Sequence, residues 1–377
     1  MIVGIPKEIK QQEYRVALTP EAVQRLTGSG HSVLVEKAAG EGALFNDSDY
    51  INAGAKIVST HGKLFFLSEL IVKVKEPMPE EYVLMGTKHV LFAYLHLASS
   101  RNLTEALLAR KITAIAFETV ETSDGSHPLL APMSEIAGRL STLEGAKYLQ
   151  RPWGGVGKLL ATFSEDELAP KVVILGAGVA GTAAARTAAA LGADVTVLDI
   201  NEDKLRAAVN MLDGKVTAVL SDQKAIEKYA AEADLIIGAV YRPNDKAPGL
   251  ITRDHLKLMK KGTVIVDIAI DQGGCIETSK PTTHADPIFE VDGVIHYCVA
   301  NMPGCVPATS TDAISKAIVP YVELLADMGW KEALRQDEPL RKGLNMHQGK
   351  LTCEPIARLF ELPFWSANDA LESESEK

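Results

Sequence analysis

The sequence predicts an α/β fold of two doubly wound domains, one inserted into the other. Three observations carry this expectation. Apolar runs short enough to be buried strands alternate with helical stretches through most of the chain. One such unit, KVVILGAGVAGTAAARTAAALGADVTVLD over residues 171–199, places a glycine-rich turn between a strand and a helix. At 377 residues the chain exceeds what one ordinary core supports, which argues for two domains.

The glycine turn is the most informative of the three. The apolar run 172–175 meets Gly176-Ala177-Gly178-Val179-Ala180-Gly181, then an alanine-rich helical stretch, then a second apolar run that ends on Asp199. Gly176 permits a tight turn, Gly178 lets a pyrophosphate approach the backbone, and Gly181 lets the helix pack closely on the sheet. The N–H groups at the helix start then face the phosphates. A glycine triplet alone is weak, because glycines punctuate many loops. Here the strand before it, the helix after it and the acid on the next strand agree. Asp199 is suited to accept from ribose hydroxyls and to repel the extra phosphate of NADP, and Ile200 and Asn201 offer no arginine to welcome it. The stretch therefore predicts a Rossmann domain with NAD as its cofactor.

Residues 1–130 repeat the strand–helix rhythm without a glycine fingerprint. Apolar runs fall at 2–5, 32–35, 55–58, 70–74, 90–97 and 112–117. Between them lie helical candidates such as 19–26, where Thr19 can cap and Pro20 suits the first helical position. This pattern predicts a second parallel sheet with helices on both faces. Residues 133–149 read as a helix capped by Ser134, with Ile136, Leu140, Leu143 and Ala146 on one face, that bridges the lobes. Residues 151–170 read as a loop, and the nucleotide lobe continues through apolar runs at 235–240, 264–270 and 293–299. After Ser310 the chain turns helical again, over 311–328 and near 351–360, and this return is expected to pack on the first lobe. The expected division is 1–130 with 310–377 as a discontinuous substrate domain, and 131–309 as the NAD-binding domain.

Composition narrows the partners. A net charge of −10 and the lack of a basic cluster exclude nucleic acid. No leader is read at the start, and no apolar run approaches the roughly 20 residues that span a bilayer, so no membrane and a cytoplasmic location are expected. Cys275, Cys298, Cys305 and Cys353 lack CxxC spacing and read as reduced, mostly buried thiols. No His/Cys/Asp cluster has ligand spacing, so no metal is expected.

In open parallel sheets, ligands bind outside the carboxyl ends of the strands. That rule selects Arg15, Lys75, His96 and Glu118 in the first lobe. In the second it selects the glycine turn, Asp199, Val240-Tyr241 and Asp271. If the two lobes face each other, these edges enclose one cleft. Each residue also has a bland reading. Arg15 and Lys75 can be solvated charges. Lys73 shares a strand face with Lys75, and at least one of the two needs a polar setting. His96 can be a hydrogen-bonded core histidine. Asp271, before Gln272-Gly273-Gly274, can be a plain turn residue, with Asp267 instead the buried acid.

Longer stretches carry a resemblance to a known family. With EYRVALTP around Arg15, VKVKEP around Lys75, YLHLA around His96, PLLAPMSEIAGR around Ser134, GAGVAG, VDIAIDQGGCIETSKPTTHADP around Asp271 and HYCVANMPGCVPATST around Asn301, the chain resembles the alanine dehydrogenase family over nearly its full length. The resemblance implies NAD-dependent, reversible oxidative deamination of L-alanine to pyruvate and ammonium by hydride transfer, in a homo-hexamer. It implies that Arg15 and Lys75 bind substrate, that His96 is the acid/base and that Asp271 is the second catalytic acid. Beside Gly176, Gly178 and Gly181, it assigns the NAD site to Ser134, Val179, Ala180, Asp199, Lys204, Ser221, Val240, Tyr241 and Lys280. The backbones of Ile268, Ala269, Ile270 and Asp271, and of Val299, Ala300, Asn301 and Met302, complete that set. The chain departs from the family at LLATFSEDELAP, where a glycine-rich loop is usual, and at Ala308, where a basic residue is frequent. Two rival readings are the NAD-binding component of a proton-translocating transhydrogenase, which is similar in both lobes, and a non-catalytic NAD-binding regulator. The YLHL and IDQGGC stretches favour the dehydrogenase over the first. The set Arg15, Lys75, His96 and Asp271 argues against the second.

Overall fold

The computed structural model describes residues 1–162, 169–240 and 248–372. It divides into two compact units, Met1–Met133 with Gly304–Lys377, and Ser134–Pro303.

The first unit opens with six strands, β1 (Ile2–Ile5), β2 (Ser32–Glu36), β3 (Lys56–Val58), β4 (Leu70–Val72), β5 (Val90–Ala93) and β6 (Thr113–Ala116). The second unit holds β7 (Lys171–Leu175), β8 (Asp194–Asp199), β9 (Thr217–Leu220), β10 (Leu235–Gly238), β11 (Val264–Asp267), β12 (Ile288–Val291) and β13 (Val294–Tyr297). The chain then returns to the first unit with β14 (Leu344–His347) and β15 (Lys350–Leu351). The sheets run β15-β14-β6-β5-β4-β1-β2-β3 and β12-β13-β11-β10-β7-β8-β9. The segments β3-β2-β1-β4-β5-β6 and β9-β8-β7-β10-β11-β13 are parallel throughout. Both follow the doubly wound order, with the strand order reversing between β1 and β4 and between β7 and β10.

Parallel strands covered on both faces need apolar residues at every position. In the second unit, Val172, Ile174, Val195, Val197, Ile237 and Val266 pack in one cluster, while Val173, Leu175, Leu198, Ile236 and Ile265 pack in another. Odd and even positions of the same strands thus feed separate cores, which is why these runs read as continuous rather than alternating.

The predicted strands of the first lobe all form, but some are shorter than their apolar runs. β4 stops before Lys73, and β5 stops before Tyr94. Four strands had no signal of their own. β9 and β12 are edge strands with weak apolar character and partial exposure. β14, although buried, contains Asn345 and His347, whose side chains bond to Thr119 at 2.6 Å and Thr113 at 2.8 Å. β14 pairs antiparallel with β6 and with β15, so the first sheet is mixed rather than purely parallel.

Thr19 caps the helix Pro20–Gly28 through Ala22 N, as expected. Ser134 does not cap. The helix runs Ala131–Tyr148, so Ser134 is its fourth residue. Pro132 explains the earlier start, because a first-turn proline lacks an N–H that would be unpaired anyway. The late helical return forms as Pro307–Gln336, broken at Gly329 where φ is 75°. It joins the first unit through Val16 N to Thr311 Oγ1 at 3.2 Å and Thr19 N to Ser315 Oγ at 3.0 Å. Of the cysteines, Cys275, Cys298 and Cys353 are buried and Cys305 is exposed, and none is in a disulfide. Among the described residues no helix is long and apolar enough to cross a membrane.

Candidate active site

In the first unit the functional candidates gather at the carboxyl ends of β1, β4 and β5. The loop after β1 carries Arg15, which is 2% exposed and therefore no solvated charge. Its Nε donates to Glu13 Oε1 at 2.7 Å and its Nη2 to Glu13 Oε2 at 2.6 Å. Nη1 faces Met133 Sδ at 3.2 Å. Burial works against the guanidinium charge, but Glu13 more than compensates and lifts Arg15 above its ordinary value. The Nε–Nη2 fork is used by the chain itself, and it fixes the plane of the group.

The two lysines after β4 separate cleanly. Lys73 is buried between Glu8 Oε2 and Glu81 Oε2, each 3.1 Å from its Nζ. Burial would push its ammonium down, and the two carboxylates hold it above the usual lysine value instead. Lys73 is the lysine in the polar setting. Lys75, also buried, points its Nζ at His96 Nε2, 3.3 Å away. Glu8 fixes the backbone between them, accepting from Val74 N at 2.6 Å and Lys75 N at 3.3 Å.

His96 is no core histidine. It is half-buried and adopts φ 46° and ψ 39°, the left-handed region that side chains other than glycine, asparagine and aspartate seldom enter. Glu118, from the turn after the adjacent β6, accepts from His96 N at 2.7 Å and from Leu95 N at 3.1 Å, which holds that conformation. The imidazole stacks beside the Tyr94 ring, centroids 5.8 Å apart. Glu76, next to Lys75, contacts Lys10. Burial would raise its carboxyl, yet Lys75, His96 and Lys10 bring it down to about 2.

In the second unit the same sheet edge carries the glycine turn. Gly176 has φ 107°, and a Cβ there would sit 2.7 Å from Ala239 O. A Cβ on Gly181 would lie 1.8 Å from Gly176 O, so the helix Val179–Ala190 can pack this closely only with glycine. A Cβ on Gly178 would meet nothing within 4 Å. Nothing in the unit requires that glycine. The helix starts at Gly178 with no side-chain cap, leaving its first N–H groups to another partner. Open space over an uncapped helix start suits a pyrophosphate, so these residues fit a dinucleotide.

Around this turn, Asp199 accepts from Ala177 N at 2.7 Å and Asn201 N at 2.9 Å, and its carbonyl accepts from Ser221 N at 2.9 Å. Val240 follows β10; Tyr241 lies outside the described residues. Beyond β11, Asp267 is the buried acid. It accepts from Ala269 N at 3.1 Å, Cys275 N at 3.0 Å and Ser279 Oγ at 2.7 Å, and so shapes the turn Ile268–Gln272. That turn presents Asp271 exposed, with Asn301 N 3.4 Å from its Oδ2. The loops after β11 and β13, with Ile268–Asp271 and Val299–Met302, therefore meet. Lys204 and Lys280 are exposed on other elements, Lys204 in the helix Glu202–Met211 and Lys280 with its Nζ 4.5 Å from the Phe289 ring centroid. Ser134 is half-buried inside its helix. Among the described residues no group of three or more His, Cys, Asp or Glu side chains could hold a metal ion.

Sequence reasoning missed Glu8, Glu13 and Glu76, the carboxylates that orient the cations. The signal for Glu13 and Glu76 was present, because QQEYR and VKEP set an acid within two residues of Arg15 and of Lys75.

Comparison with known proteins places this geometry in a family. The N-terminal domain of the alanine dehydrogenase/PNT family matches residues 4–137 and its C-terminal domain matches residues 141–354. The alanine dehydrogenase of Mycolicibacterium smegmatis is 50% identical over 368 residues, 97% of this chain and 99% of that protein. A solved L-alanine dehydrogenase superposes with a TM-score of 0.90 at 48% identity, covering 96% of this chain and 99% of the other. A transhydrogenase from Sinorhizobium meliloti superposes less well, with a TM-score of 0.77 at 26% identity over 93% and 98% of the two chains. This chain belongs to the alanine dehydrogenase/PNT family.

Proposed function

We propose that the protein catalyses the NAD-dependent, reversible oxidative deamination of L-alanine to pyruvate and ammonium. The observation that carries this reading is the set of buried Arg15 and Lys75 with half-buried His96 at one sheet edge, Lys75 Nζ standing 3.3 Å from His96 Nε2. A 2-oxo acid offers a carboxylate and a carbonyl, and this edge supplies a cation for each. The higher identity and TM-score with L-alanine dehydrogenase favour that activity over the transhydrogenase alternative.

Each residue has a defined task in the proposal. Arg15, its plane fixed by Glu13, pairs with the substrate carboxylate. Lys75 polarises the carbonyl oxygen and stabilises the charge that develops on it. His96 takes and returns the protons that move on the substrate nitrogen and the carbinolamine oxygen. Asp271 orients ammonia and balances the cationic imine. Bound NAD supplies the hydride acceptor at its nicotinamide ring. The glycine turn and the uncapped helix start hold the pyrophosphate, while Asp199 selects the ribose that lacks a phosphate. In this reading residues 1–130 with 310–377 serve the substrate and 131–309 the cofactor. The protein works as a cytoplasmic homo-hexamer without a metal or membrane partner.

The test is NADH oxidation with a panel of 2-oxo acids, with and without ammonium, on protein whose mass in solution is measured by light scattering. Oxidation is expected with pyruvate and only when ammonium is present. Absence of ammonium-dependent oxidation with every acid in the panel refutes the proposal.

A further inference from the structure

We infer that Glu76 is a positioning residue for the Lys75–His96 pair, and that its carboxylate sets the charge the pair carries. The inference rests on the reading that His96 exchanges protons during the reaction.

The two oxygens of Glu76 have different surroundings. Oε1 engages Lys10, from the loop after β1. Oε2 is buried, accepts no hydrogen bond, and lies 3.9 Å from Lys75 Nζ. Since Lys75 Nζ is 3.3 Å from His96 Nε2, carboxylate, ammonium and imidazole stand in sequence across the ends of β4 and β5. A buried acceptor without a donor is unfavourable and calls for a reason. Here the reason is electrostatic: the oxygen serves the cation it faces.

The other charges nearby do not replace it: Glu118, the carboxylate that contacts His96, is engaged by the backbone N–H groups of His96 at 2.7 Å and Leu95 at 3.1 Å. Glu8 and Glu81 both bond to Lys73, whose Nζ also lies 3.5 Å from the Glu76 carbonyl oxygen. Tyr82 also feels the Glu76 charge, and it stays neutral at physiological pH because burial and that charge raise it. Glu76 itself, held at about 2 against burial by Lys75, His96 and Lys10, is ionised throughout the working range. The attraction is mutual. An anion that is itself stabilised by Lys75 and His96 keeps the proton on Lys75, so that Lys75 donates to the His96 Nε2 lone pair. It also makes protonation of His96 easier when the reaction delivers a proton.

Glu76→Gln keeps the shape and the Lys10 contact and removes only the charge. A charge roughly 7 Å from the imidazole in this partly buried setting shifts its titration by about one pH unit. The experiment follows carbethoxylation of His96 by diethyl pyrocarbonate, which requires the neutral imidazole, peptide by peptide by mass spectrometry from about pH 5 to 9. Wild type, Glu76→Gln and Glu76→Asp are compared, and the pH profile of kcat/KM for L-alanine is recorded alongside. The expected result is a His96 midpoint about one unit lower in Glu76→Gln, with Glu76→Asp recovering at least half of the difference. A Glu76→Gln midpoint equal to or above that of the wild type overturns the inference. So does an equal shift in both variants, because then packing rather than charge is the cause. The labelling readout needs no turnover, so a protein inactive on alanine whose His96 still shifts would refute the proposed function and leave Glu76 in its role.

Discussion

Replacing Lys73 with methionine tests the buried charge network in the first unit. The side chains of Lys73 and Glu81 are 0% exposed and that of Glu8 is 1% exposed. With the ammonium gone, two carboxylates remain, each formerly 3.1 Å from the same nitrogen and therefore within roughly 6 Å of each other. Breaking a buried pair by removing one partner costs about 3–5 kcal/mol, and the loss falls on Glu8, because Glu81 keeps His61 at 3.1 Å. At pH 7 the cheapest relief is to protonate one carboxyl, at about 1.4 kcal/mol for each unit above its ordinary value, or ~3 kcal/mol. Glu8 is the acid to take the proton, since burial already raises it even with Lys73 present. The folded variant then binds one more proton than the unfolded chain, so its stability falls as pH rises. Urea unfolding from about pH 5.5 to 8 should give a deficit that grows by about 1.4 kcal/mol per unit, and Lys73→Met with Glu8→Gln should recover much of it. A deficit under about 1 kcal/mol at pH 7, or one that does not change with pH, would refute the argument.

Four further outcomes follow from the geometry. His61 lies between Glu36 at 2.6 Å and Glu81 at 3.1 Å, and these carboxylates push it up to about 9 against burial. A raised folded value stabilises fully below the ordinary 6.5 and is lost as pH rises through about 9, so thermal melts of wild type minus His61→Gln should lose about 3 kcal/mol across that window. A flat difference would sink this reading. Gly178→Ala should leave the melting temperature unchanged and weaken NADH binding in calorimetry, whereas Gly181→Ala should destabilise the fold; equal melting losses would contradict the distinction. Asp199→Ala should narrow the ratio of kcat/KM for NAD over NADP by at least about tenfold, and an unchanged ratio would remove Asp199 from cofactor selection. His96→Ala should lower kcat by about 100-fold or more while NADH still binds, and near-normal turnover would refute its role as acid/base.

How much of this was legible in the sequence follows a physical pattern. Strands buried on both faces announce themselves as unbroken apolar runs, so β1, β4, β7, β10 and β11 were readable, although the runs at 70–74, 235–240 and 264–270 outlast their strands. The glycine turn was readable because only glycine fits its crowded positions. Edge strands such as β9 and β12 escaped because one side of each faces solvent. β14 escaped because it replaces apolar contacts with hydrogen bonds through Asn345 and His347, which no periodicity records. In the candidate site, the cations were legible from their place after strands. Of the carboxylate partners, Glu13 and Glu76 stand within two residues of Arg15 and Lys75, whereas Glu8 reaches Lys73 across 65 residues of sequence and Glu81 across 8. Position along a strand is local information, whereas charge pairing depends on the finished fold.

The uncapped start of the helix Val179–Ala190 has one more consequence. A serine, threonine, asparagine or aspartate at the cap would satisfy one of the first N–H groups from within the chain. In the function proposed above, this helix leaves the task to the bound dinucleotide. The folded state therefore draws part of its stability from the surrounding dinucleotide pool, by about 2.7 kcal/mol when the ligand stands at a hundred times its dissociation constant. A cell that depletes its NAD would lower both the rate of this reaction and the lifetime of the protein that performs it.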